Sequence, residues 1–551
     1  MTAQNLAQRL VIAAVISAMT ATSTLAQEAV LPLLGPLPTS RPAVHAAGVP
    51  MDPWRFGRTV TARQNPALAQ AAPAAAPAGA SAFTASIAAM TPRLGSVQPM
   101  RGELKDGLQA LSDRNAQKAR AIREGMVPGS LDRHILSWAI GLTGGKDVPA
   151  AEIARTATEL ASWPGTKTLR INSEKALYRE QLPAGEVIRA FGNGKPESPE
   201  GAMALARAYL AAGDAGRAKA LVSRVWREER LDKDVERQFL ANFQSLLSRA
   251  DHKRRMDMLL YAERVTDAGR VVGMAGAKAL YAARAAVIRN EGNAAKLLSA
   301  VPKAERADPG YRLALIEYNR KHDKVEEAAQ LLIDAPRDVD ALVDPDAWWN
   351  ERRIVARDLL DLGKPKLAYR VAAMHLAESP QEQVEAEFHA GWIAMRFLND
   401  PVTAQRHFAQ IVQISSMPLS LSRGYYWLGR SAEAGASGSA ASYYAKAAHY
   451  PATYYGQLAA ARLGRKPEAI SFPRPSDAER RRFEQREAVR AIRRLEEIGS
   501  DWRADSLYRA LADELESPGE LALLSVMAER RGDHHLVLQV GKLAYWRGID
   551  A

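Results

Sequence analysis

Cysteine is absent from all 551 positions of the sequence, which excludes disulfide bonds, thiolate metal sites, a catalytic cysteine and a lipoprotein anchor. Long apolar runs are scarce, and the one near the N-terminus, Leu10–Met19, is too short to span a bilayer comfortably. The chain also contains no His-Glu-x-x-His zinc motif, no Gly-x-x-x-x-Gly-Lys-Ser/Thr phosphate loop and no Gly-x-Ser-x-Gly nucleophile elbow. The adjacent His534 and His535 would point about 100° apart on a helix and could not face one ion. We therefore expect neither a metal site nor a cofactor.

The N-terminus has the features of a secretory signal. Arg9 precedes the apolar run, and Thr24-Leu25-Ala26 supplies small residues of the kind found before a signal peptidase site. We expect residues 1–26 to be a cleaved signal peptide, leaving Gln27 first; an uncleaved anchor is the alternative. Cleavage would release a protein without a transmembrane segment into a compartment outside the cytoplasm.

The charge balance favours anionic partners. The sequence has 74 basic and 62 acidic residues, a formal net charge of +12. Such an excess suits the cell wall, a lipid surface or nucleic acid, and export argues against nucleic acid. The alternative is that the charges are dispersed over many helix faces and only solvate them.

Composition changes sharply near residue 100. Residues 27–100 are rich in alanine and proline, with little to bury, and we expect an unstructured leader there. From Leu104 onward, apolar residues recur at the spacing of amphipathic helices. Turn signals interrupt them roughly every 30 to 40 residues, a period typical of tetratricopeptide-like hairpins. The first such hairpin turns at Gly213-Asp214, and the turns with this period are Gly292-Asn293, His322-Asp323, Gly363-Lys364, Asn399-Asp400 and Gly435.

These hairpins predict an all-α fold. Each two-helix unit leaves an apolar face that only the next unit can cover, so the hairpins should stack into an α-superhelix. A proline-rich connector, Lys466–Pro475, interrupts the array. Beyond it we predict helices from Phe483 to Gly499, Asp501 to Leu515, Ser517 to Arg531 and His534 to Gly548.

One stretch carries a family resemblance. YYWLGRSAEA, starting at Tyr425, and YYAKAAHYPATYYGQLAAARLG, starting at Tyr443, resemble the end of the superhelical domain of soluble lytic murein transglycosylases. These are periplasmic enzymes that cleave the glycan of peptidoglycan. The preceding hairpin, Gln383–Pro401, is similar to the family too, and the likeness extends over about residues 104–551. It implies a right-handed superhelix closed into a ring or horseshoe over residues 101–466, followed by a helical linker domain over residues 476–551.

The resemblance also implies an activity. Family members cut the bond between N-acetylmuramic acid and N-acetylglucosamine with a single glutamic acid and release 1,6-anhydromuropeptides. That glutamate lies in a Glu-Ser pair within a lysozyme-like domain that follows the linker domain. We expect this domain to be missing from the chain. Glu378-Ser379 and Glu516-Ser517 lack the flanking motifs of the family, and we interpret both as helix-capping sequences. No catalytic residue is assigned.

Binding residues are sought among the aromatic side chains. Trp392, Tyr425, Tyr426, Tyr454 and Tyr455 could stack against the sugar rings of a glycan strand, or they could simply pack between helices. A basic helix with Arg480, Arg481, Arg482, Arg486, Arg490, Arg493 and Arg494 could meet anionic stem peptides, or it could be a salt-bridged solvent face. The expected partners are peptidoglycan strands. The alternative function is a non-enzymatic adaptor for cell-wall synthesis or secretion proteins.

Overall fold

The computed structural model describes residues 82–90, 97–466, 472–547 and 549. The expected signal peptide and the leader up to residue 81 lie outside these described residues. The chain divides into two units, residues 1–63 and residues 64–551. All the described residues belong to the second unit.

The described residues form 29 α-helices and two short 3₁₀ helices and contain no β-strand, which confirms the predicted all-α fold. The helices before the middle of the array are α1 Ala82–Ala88, α2 Leu104–Ser112, α3 Ala116–Gly125, α4 Leu131–Thr143, α5 Ala150–Glu159, α6 Thr166–Glu180, α7 Ala184–Phe191, α8 Pro199–Ala211, α9 Ala215–Glu228 and α10 Lys233–Phe243. The middle helices are α11 Arg249–Tyr261, α12 Val265–Ala275, α13 Lys278–Ile288, α14 Ala294–Ala300, α15 Pro309–Lys321, α16 Val325–Ile333, α17 Val339–Leu342, α18 Pro345–Asp361 and α19 Pro365–Ala373. The last are α20 Pro380–Phe397, α21 Pro401–Ile414, α22 Pro418–Glu433, α23 Ala440–Ala448, α24 Tyr454–Arg462, α25 Asp477–Gln485, α26 Glu487–Glu497, α27 Asp501–Glu514, α28 Pro518–Arg530 and α29 His534–Trp546.

Two of the predicted turns, Gly213-Asp214 and Asn399-Asp400, reverse the chain in the same way. Gly213 and Asn399 take positive φ angles of 79° and 55° just after a helix ends, a conformation that glycine and asparagine adopt readily. The next residue, Asp214 or Asp400, caps the following helix by accepting a hydrogen bond from a backbone N–H three residues later. One helix thus stops and its antiparallel partner starts within a few residues. The result is the stack of helical hairpins that the sequence predicts.

Successive hairpins share their apolar cores. One cluster joins α8 to α15, a second joins α11 to α20, and a third joins α20 to α24. Trp226, Trp349 and Phe408 lie at the centres of these clusters and are fully buried. Because each cluster takes side chains from neighbouring hairpins, no hairpin in this part of the array buries its apolar face alone.

The structure differs from the sequence prediction at two places. Within the predicted unstructured leader, α1 is helical because Phe83 and Ile87 insert into the core beside α5 and α7, with the Phe83 and Phe191 ring centroids 4.6 Å apart. Two apolar residues one turn apart were enough to anchor a helix that composition alone did not indicate. The single helix predicted from Phe483 to Gly499 is two helices, because the backbone becomes extended at Arg486.

The last helices pack against the first ones. Helices α25–α29 and α1–α9 contribute to one hydrophobic cluster, and α26 lies directly on α4. Glu487 accepts a hydrogen bond from Trp163 at 3.1 Å and contacts His134 at 3.0 Å, and Arg494 pairs with Asp132 at 3.0 Å. The helices after the connector are therefore integrated with the start of the array.

Among the described residues, every helix is too short or too polar to cross a membrane.

Candidate functional site

The five aromatic residues singled out in the sequence lie on α20, α22 and α24, at different depths. Tyr426 is 5% exposed and belongs to the core, whereas Tyr454 is 60% exposed. Trp392, Tyr425 and Tyr455 are half-buried. The structure therefore favours interhelical packing as the role of Tyr426 and leaves Tyr454 available at the surface.

Three of these rings, together with that of Tyr444, are arranged from the core outward. The Tyr426 centroid lies 5.7 Å from Tyr444 and 5.3 Å from Tyr455, and the Tyr455 centroid lies 5.2 Å from Tyr454. Tilted and edge-on contacts at such distances are favourable for aromatic pairs. The buried rings thus fix the position of the exposed one. We call Tyr454 and Tyr455 the tyrosine surface.

Tyr425 and Trp392 occupy separate environments. The ammonium group of Lys446 lies 5.4 Å from the Tyr425 ring centroid, a cation–π contact at the surface. Trp392 packs edge-on against Phe397 near the turn between α20 and α21, with their centroids 5.3 Å apart. The sequence therefore grouped Trp392 with tyrosines that have different ring neighbours in the fold.

A charged cluster lies on the first helices of three successive hairpins, α18, α20 and α22. Arg423 donates a hydrogen bond to the Glu385 carboxylate at 2.7 Å, and Arg357 donates to Nε2 of His389 at 3.0 Å. Arg353 lies one helical turn before Arg357. We call Arg353, Arg357, Glu385, His389 and Arg423 the arginine cluster. Sequence analysis did not find this cluster, although each helix carries a pair of residues four positions apart. The pairs are Arg353 and Arg357 on α18, Glu385 and His389 on α20, and Arg423 and Trp427 on α22.

The geometry fixes the state of His389. Its Nδ1 lies 2.7 Å from the backbone carbonyl oxygen of Glu385, so Nδ1 carries the proton and Nε2 accepts from Arg357. Burial lowers the pKa of His389 to about 4, which keeps the imidazole neutral at neutral pH. Burial acts to raise the pKa of Glu385, but the charge and the hydrogen bond of Arg423 outweigh it and hold that pKa below its usual range.

A second polar network links α19, α20 and α21. Glu387 contacts Nδ1 of His407 at 2.6 Å and Nε2 of His375 at 3.2 Å, and the hydroxyl of Tyr369 lies 3.0 Å from Nε2 of His407. Burial acts to raise the pKa of Glu387, but the hydrogen bonds from the two histidines prevail and lower it to about 2. A carboxylate held between two imidazoles in this way fastens adjacent hairpins together.

Both Glu-Ser pairs have capping roles, as predicted. Ser379 is the N-cap of α20 and accepts from the Glu382 N–H at 3.4 Å. Ser517 is the N-cap of α28, accepts from the Glu520 N–H at 3.3 Å and donates to the Glu479 carboxylate. In the described part of the chain, no three histidine or carboxylate side chains converge in a way that would hold a metal ion.

The basic helix region is partly neutralised. Arg486 forms two hydrogen bonds with Glu520, Arg493 pairs with Glu484, and Arg494 pairs with Asp132. Arg480, Arg481, Arg482 and Arg490 are exposed. The salt-bridged interpretation therefore holds for three of the seven arginines.

Comparison by sequence finds no matching protein-family model and no matching curated protein. Comparison of structures does find relatives. An inactive variant of a lytic transglycosylase from Pseudomonas aeruginosa aligns with a TM-score of 0.57 and 16% identity, over 81% of this chain and 72% of that one. The 70 kDa soluble lytic transglycosylase of Escherichia coli aligns with a TM-score of 0.46 and 15% identity, over 80% and 71% of the two chains. A complex of a 70 kDa soluble lytic transglycosylase with bulgecin A aligns with a TM-score of 0.45 and 16% identity, over 80% and 69%.

The stacked helical hairpins belong to a fold already seen in an enzyme structure. Over about four fifths of its length, this chain has the helical superhelix fold of the soluble lytic transglycosylases.

Proposed function

We propose that this protein binds the glycan strands of peptidoglycan in the periplasm, and that its helical array holds and orients them as the superhelical part of a lytic transglycosylase does. The observation that carries the proposal is the structural match to a lytic transglycosylase over 81% of the chain. We assign the role of catalytic acid to none of the described residues. Cleavage of the glycan to 1,6-anhydromuropeptides would belong to a lysozyme-like domain acting together with this array.

The tyrosine surface supplies the contact that such a role needs. Sugar rings present apolar C–H faces that pack against aromatic rings, while a tyrosine hydroxyl can bond to sugar hydroxyls. Tyr454 is exposed but held by its edge-on contact with Tyr455, so its ring is available without much loss of conformational freedom on binding. We assign Tyr454, Tyr455 and Tyr425 to the glycan contact, and Trp392 to a peripheral one.

The test is co-sedimentation of the protein with purified peptidoglycan sacculi. We expect the wild-type protein to pellet and Tyr454→Ala to pellet more weakly. Trp502→Ala is the matched control, since Trp502 on α27 is equally 60% exposed but far along the chain from the tyrosine surface. Equal losses for the two variants would remove the tyrosine surface from the proposal, and soluble anhydromuropeptides in the supernatant would show a catalytic acid among these helices.

A second function, that of a protein adaptor, is favoured by a different observation. The last helix, α29, exposes Leu538 at 63% and Trp546 at 51%, two turns apart on one face. Exposed apolar side chains so arranged suit a protein partner from cell-wall synthesis or secretion. A wild-type protein that stays in the supernatant with sacculi would favour this adaptor function.

A further inference from the structure

The arginine cluster contains more positive charge than its own carboxylates balance. Arg353 donates to the side-chain oxygen of Asn350 at 3.0 Å, and Arg357 donates to the neutral imidazole of His389 at 3.0 Å. Neither guanidinium forms an ion pair with any carboxylate of the described residues. Asp358 and Glu385 attract Arg357 only from a longer range.

One carboxylate in direct contact serves the whole cluster. Glu385 accepts the hydrogen bond of Arg423 and attracts Arg353 from a greater distance. Of the three guanidinium groups, only that of Arg423 is therefore in direct contact with a carboxylate. Burial and the neighbouring Arg353 both lower the pKa of Arg357, which shows that the two arginines repel each other in the unbound protein.

Donor groups are also left over. The Nε–H of Arg353 and the Nε–H of Arg423 are both buried from solvent and make no hydrogen bond. Buried N–H groups normally have an acceptor, and leaving one without costs free energy. A bound anion would reduce the repulsion between the arginines. It would also accept hydrogen bonds from the donors that have no acceptor in the unbound protein.

The surroundings of the cluster suit such an anion. The Arg423 guanidinium stacks 4.4 Å from the centroid of Phe388, whose ring lies 6.2 Å from Trp427. Apolar rings beside the charges lower the local dielectric response and strengthen the attraction. Arg357 is exposed, so a ligand can reach the cluster from solvent.

We propose that Arg353, Arg357 and Arg423 form a carboxylate-binding site, and that it takes the free carboxylates of peptidoglycan stem peptides. The ligand class rests on the proposed function, whereas the affinity for a carboxylate rests on the cluster itself. The planar guanidinium fork matches the two oxygens of a carboxylate, and Arg357 is the residue best placed to supply it from the surface. The tyrosine surface lies on α24, which packs against α22, the helix that carries Arg423. The tyrosine surface would contact the sugar, and the arginine cluster would contact the peptide attached to it.

The test uses two probes that differ by one charge, N-acetylmuramyl-L-alanyl-D-isoglutamine and its methyl ester, each titrated into the full chain by calorimetry. We expect the acid to bind at least about tenfold more tightly than the ester, and the difference to shrink as salt is added. Arg357→Gln should weaken binding of the acid to the level of the ester. Arg357→Lys, which keeps the charge but loses the fork, should fall between the two.

Arg509→Gln is the matched control, because Arg509 is an exposed arginine on α27, outside both the cluster and the basic helix. Equal affinities for acid and ester, or equal effects of Arg357→Gln and Arg509→Gln, would overturn the carboxylate site. If the wild-type protein still pellets with sacculi in that case, only this inference fails and the proposed function stands. If pelleting and acid binding are both absent, the two fail together.

Discussion

Gly456 sits where no other residue fits. A Cβ added at this position would lie 2.0 Å from the backbone oxygen of Tyr450, which cannot move away as a flexible side chain could. We predict that Gly456→Ala lowers the free energy of unfolding by about 1–3 kcal/mol through overpacking. Chemical denaturation monitored by circular dichroism measures the loss.

The matched control is Gly273→Ala. Gly273 lies inside α12, and a Cβ there would meet nothing within 4 Å. Because alanine favours a helix over glycine, this variant should gain up to about 1 kcal/mol. Losses of the same size at both positions would mean that the close approach at Gly456 is not real.

Burial separates the tyrosines that the sequence groups together. We predict that Tyr426→Ala costs about 3–5 kcal/mol of stability, because the ring is buried against Tyr444 and Tyr455. Tyr454→Ala should change stability by less than about 0.5 kcal/mol, since its ring is exposed. Thermal unfolding of both variants checks this, and similar melting temperatures would contradict it.

This contrast marks what sequence could and could not predict for the site. The doublets Tyr425-Tyr426 and Tyr454-Tyr455 stand out in the sequence, but neighbouring residues on a helix point about 100° apart. One member of a doublet can therefore be core and the other surface, and the pattern does not say which. The arginine cluster escaped prediction because its members come from three hairpins, and no local motif marks charges that meet only after stacking.

At the scale of elements, the Glu387 network should make hairpin packing sensitive to acid. Its folded pKa of about 2 lies below the ordinary value of 4.5, so its stabilising effect is present above that value and is lost as the pH falls from 4.5 towards 2. We predict that Glu387→Gln lowers stability at neutral pH by roughly 1.5–3 kcal/mol, the range for hydrogen bonds to charged groups. Stability curves at stepwise lower pH measure the effect.

The variant should also lose less stability than the wild type as the solution is acidified, because the titrating group is gone. Glu327→Gln is the control, since Glu327 is an exposed glutamate on α16. Parallel acid profiles for Glu387→Gln and the wild type would show that the carboxylate held by His375 and His407 does not couple to folding.

Most elements were predictable because their signals are local. Apolar spacing gave the helices, and residues such as Gly213 and Asn399 gave the turns. The failures were tertiary. Helix α1 exists because Phe83 and Ile87 are buried against α5 and α7, and the break at Arg486 lets α25 pack against α28 while α26 packs against α4.

At the scale of the whole unit, the shared core of the first and last helices makes distant parts of the chain depend on each other. Ile492 on α26 is fully buried in the cluster that also contains Leu108 and Leu136. We predict that Ile492→Ala costs about 2–5 kcal/mol and speeds amide hydrogen exchange in α4 as well as in α26. Exchange followed by mass spectrometry gives both readouts.

The polar contacts at the same junction should matter less. Arg494 and Asp132 are each about a third exposed, so their pair should be worth no more than about 1 kcal/mol in a double-mutant cycle. A large coupling energy there, or an effect of Ile492→Ala confined to residues 477–547, would contradict the view that apolar burial joins the two ends.

The most direct test of the account is whether the protein binds the cell wall. The chain from Gln27 to Ala551 should be mixed with purified sacculi and centrifuged, with a sample lacking sacculi beside it. We predict that the protein pellets only with sacculi and that Tyr454→Ala weakens this more than Trp502→Ala does. A wild-type protein that stays in the supernatant at every protein and salt concentration would contradict the claim that this fold serves peptidoglycan binding here.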